Sequence, residues 1–86
     1  MLLVPDGRKI MNMAAAKQAI RENKLRAPYL SEWMHLKTGD LYVATAHVIM
    51  EATLEPAVVY YRKFAPPDET WCRPASEFFD GRFEPI

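Results

Sequence analysis

The sequence predicts a mainly β domain, residues 28–86, that follows an N-terminal basic helical arm, residues 1–27. Three observations support this fold class. First, segments 41–50 and 57–61 are rich in β-branched and aromatic residues, which fit the pleated surface of a sheet. Second, Pro56 precedes the second segment, and proline is typical of the first residue of a strand because it donates no ladder hydrogen bond. Third, half of the residues are hydrophobic and the net charge is zero, as in a globular domain.

The arm is predicted to contain one helix, over residues 13–25. Asn12 is a suitable N-cap, the alanines have high helix propensity, and Pro28 prevents continuation. Residues 2–4 are predicted to add a short strand before a turn at Pro5-Asp6-Gly7. Three basic side chains form a stripe on the helix, which is typical of a solvated face: Lys17, Arg21 and Lys24.

Charge is divided between the arm and the domain. Residues 1–26 contain six basic and two acidic side chains, whereas residues 27–86 contain five basic and nine acidic ones. The arm therefore has the charge to pack on its own domain, to pack on a second copy in a homodimer, or to contact an external anion such as nucleic acid. The first two interpretations are favoured, because a zero net charge is unlike a dedicated nucleic-acid binder.

Length, cysteine content and the opening residues bear on the stability of the protein and on its cellular location. A domain of this size buries only about 60% of its unfolded surface, so dimerisation would add stability. Cys72 is the only cysteine, so no internal disulfide is expected, and a reducing, cytoplasmic location follows. Residues 1–13 contain no apolar run long enough for a signal peptide or a membrane span, so no membrane partner is expected.

The first strand of the domain is predicted to have two different sides. Trp33, His35 and Lys37 fall on one side by alternation. Thr38-Gly39-Asp40 then forms a tight turn into segment 41–50. These features predict an antiparallel pair that continues into the second arm of the central hairpin.

Residues 44–55 have a helical alternative, since they are also rich in helix formers. On a helix, His47, Glu51 and Glu55 would lie on one face at a spacing that suits a divalent metal. In the strand interpretation, His47 shares an exposed side with Thr45, and the two glutamates lie in the turn. The strand interpretation is preferred.

The end of the chain completes the fold prediction. Residues 70–73 are predicted to form a short strand, residues 74–79 a helical turn with proline at its start, and residues 82–84 the last strand. About five antiparallel strands with one helical turn before the last are typical of a small SH3-like barrel.

One spaced series of polar, aromatic and valine residues runs through the domain: His35, Lys37, Gly39, Tyr42, Glu51, Glu55, Val58, Val59, Tyr60, Trp71, Arg73, Pro74 and Phe78. It resembles the bacterial and phage family called domain of unknown function 1653, whose pattern runs H-x-K-x-G-x-x-Y, E-x-x-x-E-x-x-V-V-Y and W-x-R-P-x-x-x-F. The match covers residues 33–83, with residues 71–83 the most specific part, and the arm lies outside it. Arg62 departs from the pattern, because a second tyrosine, Tyr61, precedes it. The resemblance implies a small SH3-like barrel and strands over residues 41–50, but no function.

The predicted strands bring chemically useful side chains together. Trp71 and Arg73 share one face of a strand, and His35 and Lys37 share one face of another. If those faces meet, an aromatic platform lies beside cationic donors, which suits a stacked base, a phosphate or an acidic peptide. The candidate ligand-binding set adds a tyrosine and two turn glutamates of opposing charge: His35, Lys37, Glu51, Glu55, Tyr60, Trp71 and Arg73.

A structural alternative assigns the same residues to packing. Arg73 then acts as a clamp that pairs with Glu51 or Glu55 and pins the long turn to the domain. The aromatic residues form the core in this alternative: Tyr42, Tyr60, Trp71, Phe78 and Phe79.

The sequence therefore predicts a non-catalytic binding module for a nucleotide or a nucleic-acid segment. The alternative is a protein-interaction module, phage-encoded and directed at a host protein, that uses the basic arm and exposed Leu25, Tyr29 and Leu30. No glycine-rich phosphate loop, paired-cysteine metal site or G-x-S-x-G motif occurs in the sequence, so no catalytic residue, metal or cofactor is expected. Cys72 and His35 are the only candidate pair for thiol chemistry.

Overall fold

The computed structural model describes residues 2–3, 9–10, 12–65 and 68–86. The chain begins with a two-stranded antiparallel sheet of β1 (Leu2–Leu3) and β2 (Lys9–Ile10). The predicted strand is thus present over its first two residues, while the rest of it and the predicted Pro5-Asp6-Gly7 turn lie outside the described residues.

Helix α1 (Met13–Arg26) begins and ends where the capping chemistry predicts. The side chain of Asn12 accepts a 2.7 Å hydrogen bond from the backbone N–H of Ala15, which satisfies one of the free donors of the first turn. At the other end, Ala27 is fully buried in the core of the main sheet. The C-terminal end of the helix is therefore packed against the domain.

The main sheet has five antiparallel strands in the order β6-β5-β4-β3-β7. Within the described part of the chain it is open, because β6 and β7 each pair with one neighbour only, and closure into a barrel is not observed. Its elements follow the predicted order: β3 (Glu32–His35), β4 (Leu41–Ile49), β5 (Pro56–Arg62), β6 (Thr70–Pro74), the helical turn α2 (Ala75–Phe78) and β7 (Phe83–Pro85).

A bulge in β4 changes which residues face the core. Ala44 pairs with Tyr60 and His47 pairs with Val58, although three residues separate Ala44 from His47, because the register shifts between Ala44 and Ala46. The extra residue places His47 on the same face as Ala44. The prediction that His47 lies on an exposed side with Thr45 is wrong for this reason, and His47 is half-buried. The helical alternative for residues 44–55 is also wrong, since β4 runs to Ile49.

The core lies on one face of the sheet and consists mainly of aromatic rings. Phe78 is fully buried, with its ring centroid 5.1 Å from that of Trp33 and 4.6 Å from that of Phe83. Edge-to-face and stacked rings of this kind contribute packing beyond their buried area. The buried core cluster consists of Ala27, Trp33, Ala44, Val58, Tyr60, Ala75, Phe78 and Phe83.

None of the described helices is long and apolar enough to cross a membrane.

Candidate ligand-binding cleft

A cleft of about 260 Å³ opens on the core face of the sheet. Its walls combine aromatic rings with one guanidinium group, one imidazole and three hydroxyl groups. We call it the aromatic cleft, and it is lined by His35, Thr38, Tyr42, Tyr60, Trp71, Arg73 and Phe83.

Strand register explains why these residues meet. Tyr60 pairs directly with Trp71 across β5 and β6, and residues paired across an antiparallel ladder have side chains on the same face. Arg73 lies two residues beyond Trp71 on β6 and therefore shares that face. On the other side of the cleft, His35 of β3 pairs with Phe83 of β7.

Arg73 is oriented by the aromatic residues around it. Its Nε donates a 3.2 Å hydrogen bond to the phenolic oxygen of Tyr60, and its Cζ lies 5.6 Å from the ring centroid of Phe83. The hydrogen bond from Arg73 to Tyr60 raises the pKa of Arg73, so the side chain remains cationic. Within the described residues, the terminal guanidinium nitrogens of Arg73 make no hydrogen bond or ion pair.

Trp71 differs from the other large aromatic residues of the cleft. Its side chain is 52% exposed, whereas Tyr60 and Phe83 belong to the buried cluster. Tyr42 packs against that cluster, but Trp71 makes no ring-to-ring contact in the part of the chain that the structure describes. The packing alternative therefore accounts for Tyr42 and Tyr60 but not for Trp71.

The opposite wall carries the polar groups of His35, Thr38 and Tyr42. A ring nitrogen of His35, Nδ1, lies 3.2 Å from the hydroxyl oxygen of Thr38, and the His35 ring stands edge-on to Phe83 with 5.0 Å between centroids. Burial raises the pKa of Tyr42, and the nearby Asp40 carboxylate raises it further. Tyr42 therefore keeps its proton at neutral pH.

A second, more basic cleft of about 480 Å³ adjoins the first. It shares His35 and Arg73 with the aromatic cleft, so these two side chains form a common boundary. We call it the basic cleft, and it is lined by His35, Leu36, Lys37, Arg73 and Arg82.

The structure places the predicted site residues in two separate regions. His35, Tyr60, Trp71 and Arg73 line the aromatic cleft, and Lys37 lines the basic cleft. The two predicted glutamates lie in the β4–β5 turn, at the Pro56 end of β5, which is about 13 Å along the strand from Tyr60 and about 7 Å from Val58, the residue that pairs with Arg73. Arg73 donates to Tyr60, and neither glutamate lines either cleft.

Five lining residues were not in the predicted set, and one of them, Leu36, had been given no role. Tyr42 had been assigned to the spaced motif series and, in the packing alternative, to the core, and Thr38 to a turn. Phe83 and Arg82 reach the clefts only because β7 pairs with β3, and no local signal in the sequence predicts which strand the last one joins.

Two alternative chemistries find no support in this geometry. Cys72 pairs with Val59, on the face of the sheet opposite to that of Trp71 and Arg73, so its thiol points away from the His35 wall. Among the described residues, no group of three His, Cys, Asp or Glu side chains is placed to hold a metal ion.

Comparison with protein-family models, curated proteins and solved structures found no match for the chain.

Proposed function

We propose that the protein is a non-catalytic module that binds a nucleotide or a nucleic-acid segment in the aromatic cleft. One observation carries the proposal. The indole ring of Trp71 is half-exposed and makes no ring-to-ring contact within the described residues, and it lines the same cleft as Arg73, whose Nε donates to Tyr60. Stacking of a base on such a ring is worth about 1–3 kcal/mol.

The dimensions of the aromatic cleft fit a single flat ring. Its volume of about 260 Å³ lies just below the range of roughly 300–1,000 Å³ that is usual for pockets that bury a whole small ligand. A base stacked on Trp71 would have the Tyr42 hydroxyl and His35 as hydrogen-bonding groups on the opposite wall. Arg73 would supply the charge that attracts a phosphate.

The proposal is tested with labelled single-stranded oligonucleotides and fluorescence anisotropy at low salt. Trp71→Ala and Arg73→Ala are each expected to weaken binding about tenfold or more, because each removes a stacking or charge-assisted contact. The matched control is Phe64→Ala, which removes an aromatic ring that is 89% exposed and lines neither cleft. Circular dichroism confirms that each variant is folded. No binding at low salt, or an equal loss in all three variants, contradicts the proposal.

The basic stripe on α1 offers a second route to anions, which the experiment separates from the cleft. Lys17, Arg21 and Lys24 are exposed, and Arg21 also donates a 2.8 Å hydrogen bond to Gln18. If neutralising these three residues abolished binding while Trp71→Ala left it intact, the interaction would be a general attraction to the helix.

A protein-interaction module is the second candidate, and a specific observation favours it. Tyr29 is 74% exposed, and its neighbour Leu30 is exposed with φ 67°, a conformation that costs a non-glycine residue free energy. Exposed apolar side chains on strained backbone are a feature of binding surfaces. A host protein that co-purifies with the wild type but not with Tyr29→Ser would support this candidate.

The proposal extends to the type of β fold and to the protein family. We infer an SH3-like barrel and membership of the domain of unknown function 1653 family from the spaced motif series. The pairing of β7 with β3 and the helical turn α2 just before β7 support this assignment.

A further inference from the structure

We propose that the aromatic cleft and the basic cleft form one bipartite site, in which a single nucleotide places its base on Trp71 and its phosphate beside Lys37. The inference rests on the proposed function, because it assumes that the aromatic cleft binds a base. It adds the position of the phosphate and the residue that recognises it.

The shared boundary between the clefts is the first argument. His35 and Arg73 line both, so a ligand in one cleft lies next to the other with no intervening element. Tyr60 holds Nε of Arg73, and the terminal nitrogens of the guanidinium make no hydrogen bond within the described residues. One guanidinium can therefore contact the ligand where its base joins its sugar phosphate.

Charge pairing is the second argument. Residues 27–86 contain five basic and nine acidic side chains, so most cations are expected to be paired. Arg62 pairs with Asp40 and Glu69, Lys63 with Glu32, and Arg82 with Glu77 and Asp80. The two remaining basic residues, Lys37 and Arg73, make no ion pair within the described residues, and both line the basic cleft.

In a domain with excess acidic residues, a cation without an ion pair marks a place where an anionic ligand can bind. Lys37 is exposed at the β3–β4 turn, and Arg73 lies on the edge strand β6, so their common cleft is formed by residues distant in sequence. Carboxylates pair directly with the other three cations of the domain, whereas Lys37 and Arg73 make no ion pair within the described residues, although Glu77 and Asp80 lie close enough to Arg73 to favour its charged form. The basic cleft therefore offers a phosphate two cations that no carboxylate contacts directly.

Size is the third argument. The aromatic cleft, at about 260 Å³, accommodates a base but not a whole nucleotide, whereas the basic cleft, at about 480 Å³, has room for a sugar phosphate. Only the aromatic cleft has a wall of aromatic rings, and only the basic cleft contains Lys37. Together they supply a flat apolar wall and a cationic recess in adjacent positions.

The test compares adenosine, adenosine 5′-monophosphate and inorganic phosphate by isothermal titration calorimetry or NMR titration at low salt. The monophosphate is expected to bind about tenfold more tightly than adenosine, because one charge-assisted contact contributes about that much affinity. Lys37→Ala should reduce this difference, with Arg73 still at the cleft, and leave adenosine binding unchanged, while Trp71→Ala should weaken both ligands. Lys24→Ala, which removes an exposed cation from α1, is the matched control and should have no effect.

Failure of the inference and failure of the proposed function give different results. Equal affinities for adenosine and its monophosphate would overturn the bipartite site and leave the base-binding proposal standing. If adenosine, the monophosphate and oligonucleotides all failed to bind, both would be overturned.

A final comparison identifies the source of the nucleotide. A short single strand with a 5′-phosphate that binds more tightly than the monophosphate indicates nucleic acid, and the reverse order indicates a free nucleotide. Either order supports the bipartite site, provided that Lys37→Ala weakens the preferred ligand.

Discussion

Nε of Arg73 lies 3.2 Å from the phenolic oxygen of Tyr60, and this hydrogen bond joins the edge strand β6 to the buried aromatic cluster. Tyr60 therefore has two roles, since its ring packs in the core and its hydroxyl orients the cation of the cleft. The link explains how an exposed strand can present Arg73 in one defined position.

Tyr60→Phe is expected to test this link without removing the ring from the core. The variant loses one hydrogen bond, worth about 1 kcal/mol, because the Arg73 Nε must then find water. Ligand affinity should fall a few-fold, since a less ordered guanidinium costs more entropy to fix on binding. Urea unfolding and ligand titration measure the two effects. Unchanged affinity would show that the hydrogen bond does not orient Arg73 for the ligand.

Phe78→Ala is expected to be the most damaging single substitution in the core. Phe78 is fully buried and packs against the rings of Trp33 and Phe83, so its removal leaves a cavity that costs about 3–5 kcal/mol. A domain of this size has a total stability toward the low end of about 5–15 kcal/mol. Urea unfolding should therefore show a variant with as little as about 0–2 kcal/mol of stability left. Phe64→Ala, at an exposed turn, should change stability by less than about 0.5 kcal/mol.

Tyr42 is expected to make stability pH-dependent in the alkaline range. Its pKa is raised in the folded protein, first by burial and then by Asp40, so folding favours the protonated phenol. This contribution is complete below the ordinary tyrosine value of 10.0 and is lost as the pH rises through the folded value. Thermal unfolding of wild type and Tyr42→Phe from about pH 9 to about pH 11 measures it. The Tyr42→Phe variant should lose less stability over this interval, and an equal loss would contradict the assignment.

His47 is expected to contribute through one hydrogen bond and not through chemistry. Its Nε2 donates to the carbonyl oxygen of Ala27 at 2.7 Å, which ties the end of α1 to β4. The other ring nitrogen, Nδ1, is buried without a partner in the described part of the chain. His47→Phe keeps the ring, and should lower the free energy of unfolding by about 1–2 kcal/mol through the unpaired Ala27 carbonyl. No loss of stability would mean that this hydrogen bond does not hold the helix.

Local chemistry was sufficient to predict most elements. The Asn12 side chain caps α1, Pro56 is the first residue of β5, and α2 follows Pro74, as the sequence indicates. Each of these depends on a property of one residue, such as a cap oxygen or a missing N–H, and needs no knowledge of the rest of the chain.

Features that depend on distant pairing were not predictable. The bulge between Ala44 and Ala46 reverses the face of His47, and alternation counted along the sequence does not reveal an inserted residue. Similarly, Glu51 and Glu55 were grouped with the cleft residues, but neither lines either cleft. Trp71 and Arg73 were grouped correctly because they are two residues apart on one strand, where parity alone decides the face.

The most direct test of the account uses the two tryptophans of the chain as probe and control. Trp71 is 52% exposed on the cleft wall, whereas Trp33 is 5% exposed and its indole N–H donates to the Ser31 hydroxyl at 3.0 Å. In an NMR titration with adenosine 5′-monophosphate, the indole N–H signal of Trp71 should shift in a saturable manner while that of Trp33 stays fixed. A Trp71 signal that does not move at millimolar nucleotide would contradict the claim that this cleft binds a base.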